Sequence, residues 1–212
     1  MTTLILAWRS LASRRTTALL SIIAIAVSIS LFVGVERIRI GAKSSFTSTI
    51  SGTDLIVGAR AGNVQLLLYS VFRIGNATSN ISMNSLEAVK AQSDVAWVVP
   101  ISLGDSHRGY RVMGTTSDYF KYYRYRNKQP LKFTEGQDFY DLFDVIVGAE
   151  IAEKLGYEMG TEIIVSHGIG AIDGAAHDNM PFKVSGILQR TGTPVDRTVH
   201  ISLEALEAIH IG

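Results

Sequence analysis

Hydrophobic residues are unevenly distributed along the chain, and one long apolar run lies near the N-terminus. Thr16 to Val35 are 20 consecutive residues without a charged residue or a proline. About 20 apolar residues in a helix span the hydrocarbon core of a bilayer. The run therefore predicts a transmembrane helix over residues 16–35. Three arginines precede it, at Arg9, Arg14 and Arg15, and this arrangement favours a cytoplasmic N-terminus.

Apolar positions continue at helical spacing on both sides of the run. The apolar residues before it fall on one side of a short helix: Leu4, Ile5, Trp8, Leu11 and Ala12. Residues 1–15 are therefore predicted to form an amphipathic helix on the cytoplasmic membrane surface, an elbow with Trp8 and Arg9 at the interface. After the run, Ile38, Ala42 and Phe46 recur every four residues, which predicts a stalk helix over residues 36–50.

Small residues within the span indicate helix packing. Ala26, Ser30 and Gly34 are spaced four apart, and such a ridge allows close approach of helices in lipid. The alternative is a cleaved signal peptide, because Ala24-Ile25-Ala26 resembles a cleavage site. In that case the rest of the chain would be a secreted binding domain. The apolar run continues nine residues past Ala26, and this length favours a retained membrane helix.

The remaining residues, 51–212, alternate between short strand patterns and short helix patterns. The predicted strands lie at residues 55–57, 95–103, 110–113, 145–147, 161–166, 182–188 and 198–201. The predicted helices lie at residues 63–73, from Ser82 or Asn84 to Lys90, 149–155 and 203–209, with Gly156 ending the third and Ser202 capping the last. This order predicts an α+β fold.

Composition and motifs argue against several classes of function. Charged residues make up only 18% of the chain, against about 25% in average soluble proteins, which fits a membrane-embedded part. The net charge of +1 argues against a dedicated nucleic-acid binder. There is no cysteine and no phosphate-binding, dinucleotide-binding or hydrolase motif. The sequence therefore predicts neither an enzyme nor a nucleotide cofactor in this chain.

Two local clusters allow more than one interpretation. Residues 118–128, DYFKYYRYRNK, are typical of a solvated strand or a hinge, or of a contact surface for a partner protein or a lipid head group. His167, His177 and Asp178 surround a glycine-rich loop, and imidazole and carboxylate groups can bind zinc. Their spacing matches no standard metal motif, so a polar loop without metal is the alternative.

Four segments in a fixed order carry a family resemblance. They are GTDLIVGARAG at 52–62, YRVMGTTSDYF at 110–120, VIVGAEIAEKLGYEMGTEIIV at 145–165 and FKVSGILQRTGTPVDRTVHISLEAL at 182–206. With the elbow, span and stalk, they resemble the permeases of the macrolide-exporter (MacB-like, FtsX-like) ABC transporter family.

The resemblance implies an architecture and a set of partners. It implies a bacterial inner-membrane protein whose residues 51–212 form a periplasmic core domain with two lobes. One is a porter-like α/β lobe, and the other is a mostly β lobe inserted near residues 121–190. It also implies a homodimer, a separate cytoplasmic ATPase subunit that holds the ATP, and three further membrane helices. Since these would follow Gly212, the chain is expected to be a fragment or a truncated gene product.

The resemblance also implies a mechanical role in export or in remodelling of the envelope. ATP hydrolysis by the partner subunit would move the elbow, the span and the stalk, and through them the periplasmic domain. The periplasmic partner or substrate stays open. A zinc-linked transport component that uses the His167–Asp178 loop is the alternative within the same architecture.

Overall fold

The computed structural model describes residues 5, 8–9, 12–60, 62–75, 79–167 and 180–211, apart from the side chains of 45–47, 167 and 211. Helix α1, Arg15–Thr49, covers both the predicted span and the predicted stalk without a break. The chain divides into two compact units, Met1–Ser45 and Phe46–Gly212, which are described separately below.

The described residues of the first unit are helical apart from a turn at Arg14. Ile5, Trp8 and Arg9 have helical backbone, and α1 follows. The segment Arg15–Ser44 is long and apolar enough to cross a membrane. Its serines suit that environment, because Ser21 and Ser28 donate to the carbonyl oxygens of the residues four positions earlier, at 3.0 and 2.8 Å. A hydroxyl bonded back to its own helix needs no water as a partner.

A mixed β-sheet organises the second unit. The strands are β1 Ser102–His107, β2 Tyr110–Thr115, β3 Arg124–Tyr125, β4 Gln129–Pro130, β5 Phe133–Gly136, β6 Asp144–Val147, β7 Glu162–Ile163, β8 Ser166–His167, β9 Phe182–Leu188 and β10 Thr198–Ser202. The main sheet has the order β5-β9-β6-β10-β2-β1-β8, with β7 also on β9. The pairs β10–β2 and β6–β9 are parallel, and the other pairs are antiparallel. Strands β3 and β4 form a separate hairpin.

The central strands place apolar side chains on both faces of the sheet. Val145 and Val147 belong to one buried cluster, whereas Ile146 between them belongs to the other. Val112 and Met113 divide in the same way on β2. Since successive side chains of a strand point to opposite faces, the sheet lies between two hydrophobic layers.

Five shorter helices complete the described part of the second unit. They are α2 Asn63–Ser70, α3 Met83–Lys90, α4 Asp118–Tyr122, α5 Ala149–Leu155 and α6 Leu203–Ile211. The Oγ atoms of Ser82 and Ser202 accept from the backbone N–H groups of Ser85 and Ala205, at 3.2 and 3.0 Å. Gly156 ends α5 in the left-handed conformation, with φ of 66°. The predicted caps of these three helices are therefore confirmed.

Two strand predictions are wrong, and a third, at residues 161–166, is divided into β7 and β8. Residues 55–57 form no strand, and the predicted strand at 95–103 is reduced to its last two residues, where β1 begins. β-Branched residues favour extended backbone, but a strand also needs a neighbouring strand to pair with. The predicted helix at 63–73 is confirmed in its first eight residues, and neither α2 nor α3 contains a fully buried residue.

The coarse fold prediction is confirmed as a mixed α+β domain that follows an apolar N-terminal helix. The two-lobed detail is not confirmed. Strands β5, β6 and β9 come from the segment near 121–190 that was expected to form an inserted lobe. They lie in the same sheet as β2 and β10.

Candidate transmission site at the end of helix α1

The residues that the sequence marks for packing and movement all lie on helical backbone. Ala26, Ser30 and Gly34 share one face of α1 because they are one turn apart, and all three are exposed. A Cβ placed on Gly34 would meet nothing within 4 Å. This face of the first unit is therefore open to a neighbouring helix.

The other predicted positions are also exposed where their side chains are described. Trp8 and Ile38 are each 74% exposed, and Arg9 and Ala42 are exposed as well. Phe46 lies within α1, but its side chain is outside the described residues. The structure therefore places these residues on helices and does not test the movement predicted for them.

The predicted zinc ligands lie outside the described part of the chain. His167 contributes backbone to β8, but its side chain, His177 and Asp178 are not described. Among the described residues, no group of three His, Cys, Asp or Glu side chains could hold a metal ion. The zinc hypothesis stays a prediction.

The structure reveals a site that the sequence did not indicate, at the C-terminal end of α1 in the second unit. The last carbonyl groups of a helix have no partners within the helix. Here the carbonyl oxygen of Ser48 accepts from the backbone N–H of Arg126 at 2.9 Å. The carbonyl oxygen of Thr49 accepts from the Tyr123 hydroxyl. The β3–β4 hairpin and Tyr123, which directly precedes it, thus supply partners for the end of the helix.

The same hairpin holds the chain that leaves the helix. The Ser51 N–H donates to the carbonyl oxygen of Arg124 at 3.0 Å. In return, Ser51 Oγ accepts from the N–H of Lys128 at 3.1 Å. These bonds and the two at the helix end make four connections between residues 48–51 and residues 123–128. We call this set of contacts the helix–hairpin junction.

The turn of the hairpin has an unusual backbone. Arg126, Asn127 and Lys128 have φ values of 30°, 36° and 61°, in the left-handed region that residues other than glycine rarely adopt. Such residues cost of order 1 kcal/mol each and persist where their surroundings fix them. The backbone bonds of Arg126 and Lys128 to residues 48 and 51 are part of those surroundings.

Tyr123 connects the junction to a polar loop next to the sheet. Burial raises the pKa of Tyr123, and a hydrogen bond with Thr193 works against that rise. The hydroxyl therefore keeps its proton and donates it. Arg126 reaches the same loop, because a Cβ placed on Gly192 would collide with its guanidinium group.

The loop itself is tied together by the Asp196 carboxylate. One oxygen accepts from Thr191 N at 2.7 Å and from Thr191 Oγ1 at 2.8 Å, and the other accepts from Gly192 N at 2.7 Å. Asp196 belongs to a short 3₁₀ helix, Pro194–Arg197, that leads directly into β10. A continuous series of contacts therefore runs from the end of α1 to the central strand of the sheet.

The aromatic and basic stretch at 118–128 differs from its sequence interpretation. It forms α4 and the β3–β4 hairpin, and Tyr119 and Phe120 are 1% and 8% exposed. The interpretation as a solvated strand is therefore wrong for these two residues. Tyr119 and Tyr123 are four residues apart, and this helical spacing is the sequence pattern that indicates a helix at this position.

Comparison with known proteins identifies the family. Residues 18–211 match the family of MacB-like periplasmic core domains, and the chain therefore belongs to that family. Members of this family are permease components of ABC transporters. Together with the apolar helix, this membership indicates a membrane-anchored protein.

Other comparisons are less informative. No curated protein matches the chain. A solved structure similar to part of it is a domain of a Porphyromonas gingivalis protein described as a permease, with 7% sequence identity and a TM-score of 0.38. The match covers 55% of this chain and 50% of that one.

Proposed function

We propose that this chain is the part of an ABC transporter permease that couples ATP hydrolysis, on a separate cytoplasmic ATPase subunit, to a change in a periplasmic domain. The observation that carries this proposal is the helix–hairpin junction. A single helix extends from the apolar segment to Thr49, and its last carbonyl groups bond to Tyr123 and to the hairpin that follows it. The noncatalytic role is proposed because members of the family are permease components. The periplasmic location of the second unit and the cytoplasmic location of the N-terminus are also part of the proposal.

The strength of the junction is suited to transmitting a movement. A typical hydrogen bond contributes about 0.5–1.5 kcal/mol net. Four such bonds join residues 48–51 to residues 123–128. Coupling between allosteric sites is typically about 1–3 kcal/mol, so the junction can hold the helix end and the hairpin together through such a transition.

The rest of the proposal concerns the membrane part. The face with Ala26, Ser30 and Gly34 packs against a second copy of the chain in a homodimer. Trp8 and Arg9 contact lipid head groups next to the ATPase, and Ile38, Ala42 and Phe46 carry the movement along α1. The output is export of a substrate or remodelling of the envelope.

The experiment compares two tyrosine variants of the full-length permease in nanodiscs with its co-purified ATPase. Tyr123→Phe removes the hydroxyl that donates to Thr49. Tyr125→Phe is the matched control, because Tyr125 packs against the same hydrophobic cluster and its hydroxyl makes no hydrogen bond among the described residues. Hydrogen exchange is measured with and without ATP and vanadate.

In the wild type and in Tyr125→Phe, we expect nucleotide trapping to change amide exchange at residues 123–130 and 191–202. In Tyr123→Phe the change should be smaller, while co-purification of the ATPase is unaffected. An equal change in all three proteins would refute the role of the junction. Purification without any ATPase would refute the transporter assignment.

A further inference from the structure

A cavity of about 660 Å³ lies in the second unit beside the helix–hairpin junction, and Tyr123 of the junction is one of its lining residues. Its other walls come from residues 50–103, from Tyr119 in α4 and from Leu203 in α6. Apolar side chains dominate the lining, among them Leu66, Val71, Leu86, Val99, Leu103 and Leu203. Small-molecule sites typically have volumes of about 300–1,000 Å³ and mostly apolar walls, so the size and lining fit a ligand.

Arg73 places a cation in this apolar lining. Its side chain is half-buried and Nη1 donates to the carbonyl oxygen of Ser70. Its Nε is buried without a hydrogen-bond partner. Among the described residues, no carboxylate forms an ion pair with Arg73. Its backbone φ of 61° is also in the left-handed region, a strain of the kind that gathers at ligand sites.

Tyr119 supplies a second unpartnered donor in the same lining. Its side chain is 1% exposed, and the proton of its hydroxyl has no acceptor. Burial raises the pKa of Tyr119, whereas the charge of the nearby Arg73 guanidinium and its hydrogen bond to the hydroxyl oxygen work against that rise. Buried polar groups without partners are uncommon in native proteins, and each requires an explanation. Two neighbouring donors without acceptors are suited to binding an acceptor, best an anion.

The other charges of the lining do not compete for this position. Asp54 and Asp94 also line the cavity, and both are exposed. Exposed carboxylates are solvated and screened by salt, whereas a half-buried guanidinium is screened less. Among the described lining residues, Arg73 is the single cation. One guanidinium edge with one hydroxyl suits a planar monoanion such as a carboxylate better than a phosphate dianion.

We propose that this cavity binds a single-chain amphiphile with a carboxylate head, such as a fatty acid. The carboxylate accepts from Arg73 Nε and from the Tyr119 hydroxyl. The acyl chain lies along the apolar walls, where each buried methylene adds roughly fourfold in affinity. This inference does not depend on the coupling to an ATPase proposed above.

The test uses the full chain in phosphatidylcholine nanodiscs and a photoactivatable palmitic acid. After irradiation, mass spectrometry maps the labelled peptides. We expect labels within residues 64–73 and 94–103, and competition by palmitic acid but not by hexadecanol. Labels confined to the apolar segment Arg15–Ser44, or equal competition by the alcohol, would overturn the proposal.

Variants separate ligand binding from folding. Arg73→Asn removes the guanidinium, and asparagine tolerates the left-handed backbone; we expect labelling to fall by about tenfold or more. Tyr119→Phe should lower labelling by about threefold to tenfold without lowering the melting temperature, because it removes an unsatisfied buried group. Arg60→Gln is the matched control, since Arg60 is exposed and outside the lining. The inference would be contradicted if Tyr119→Phe were labelled as strongly as the wild type and Arg73→Asn were folded and also fully labelled.

Discussion

His200 makes the stability of the second unit depend on pH in a predictable direction. It lies on the central strand β10 with no exposed surface. Its Nδ1 is 3.2 Å from the carbonyl oxygen of Ile146, while Nε2 has no hydrogen bond. The rings of Tyr119 and Phe120 lie at 5.5 and 5.8 Å. Burial, helped by the charge of Arg73, lowers the pKa of His200 from 6.5 to about 3, although the bond to Ile146 works against this.

The direction of this pH dependence follows from the protonation of His200 in the folded and in the unfolded protein. The folded protein keeps His200 neutral down to a pH of about 3, whereas the unfolded chain binds a proton below about 6.5. The free energy of unfolding is therefore unaffected by this group above its unfolded pKa and falls as the pH decreases toward the folded value. Between about pH 7.5 and about pH 5, the loss amounts to about 2 kcal/mol.

The measurement is urea unfolding of the full chain in nanodiscs at both pH values, for the wild type and His200→Gln. Trp97 is the fluorescent probe because it stacks on Tyr122 at 5.3 Å, and Trp8→Phe in both proteins removes the other tryptophan. Burial also lowers the pKa of His107, but that residue is common to both proteins. We expect the pH-dependent loss to be smaller in the variant by about 2 kcal/mol. Equal losses would show that His200 is not kept neutral by burial.

Two further predictions concern small residues. The double variant Ser30→Leu/Gly34→Leu should reduce dimerisation in membranes, measured by crosslinking or energy transfer, because the larger side chains fill the predicted packing face. Ser28→Leu is the control, since Ser28 lies on another face of α1. Equal dimerisation of the two variants would contradict the assignment of Ala26, Ser30 and Gly34 as the packing face. Gly148→Ala should lower the free energy of unfolding by about 2–4 kcal/mol, because a Cβ there would overlap the backbone of the 3₁₀ helix. In urea titration, Gly62→Ala should be close to neutral since a Cβ there meets nothing within 4 Å, and a similar effect of both substitutions would contradict the packing argument.

Local patterns predicted those elements whose cause is local. The apolar run and the stalk spacing indicated α1, and Ser82 and Ser202 indicated helix starts that the structure confirms. The strands at 145–147 and 182–188 were predicted nearly to the residue, because continuous apolar or alternating residues reflect burial directly.

The junction and the cavity could not be predicted in this way. The Tyr123 hydroxyl bonds to Thr49, which is far away in sequence, and no periodic pattern encodes such a pair. Residues 95–101 have strand-like composition but no strand partner. Arg73 and Tyr119 are ordinary residues in the sequence and become a candidate site only because folding buries both without partners.

The position of β10 in the sheet has a consequence for how the domain assembles. β10 pairs with β6 on one side and with β2 on the other, and all five of its residues are buried. It thereby joins a half-sheet of β5, β9, β6 and β7 to a half-sheet of β2, β1 and β8. Without residues 198–202, each half would present an open strand edge and an apolar face, which are surfaces prone to aggregation. The described sheet is therefore continuous through this one strand, whose partners are distant from it in the sequence.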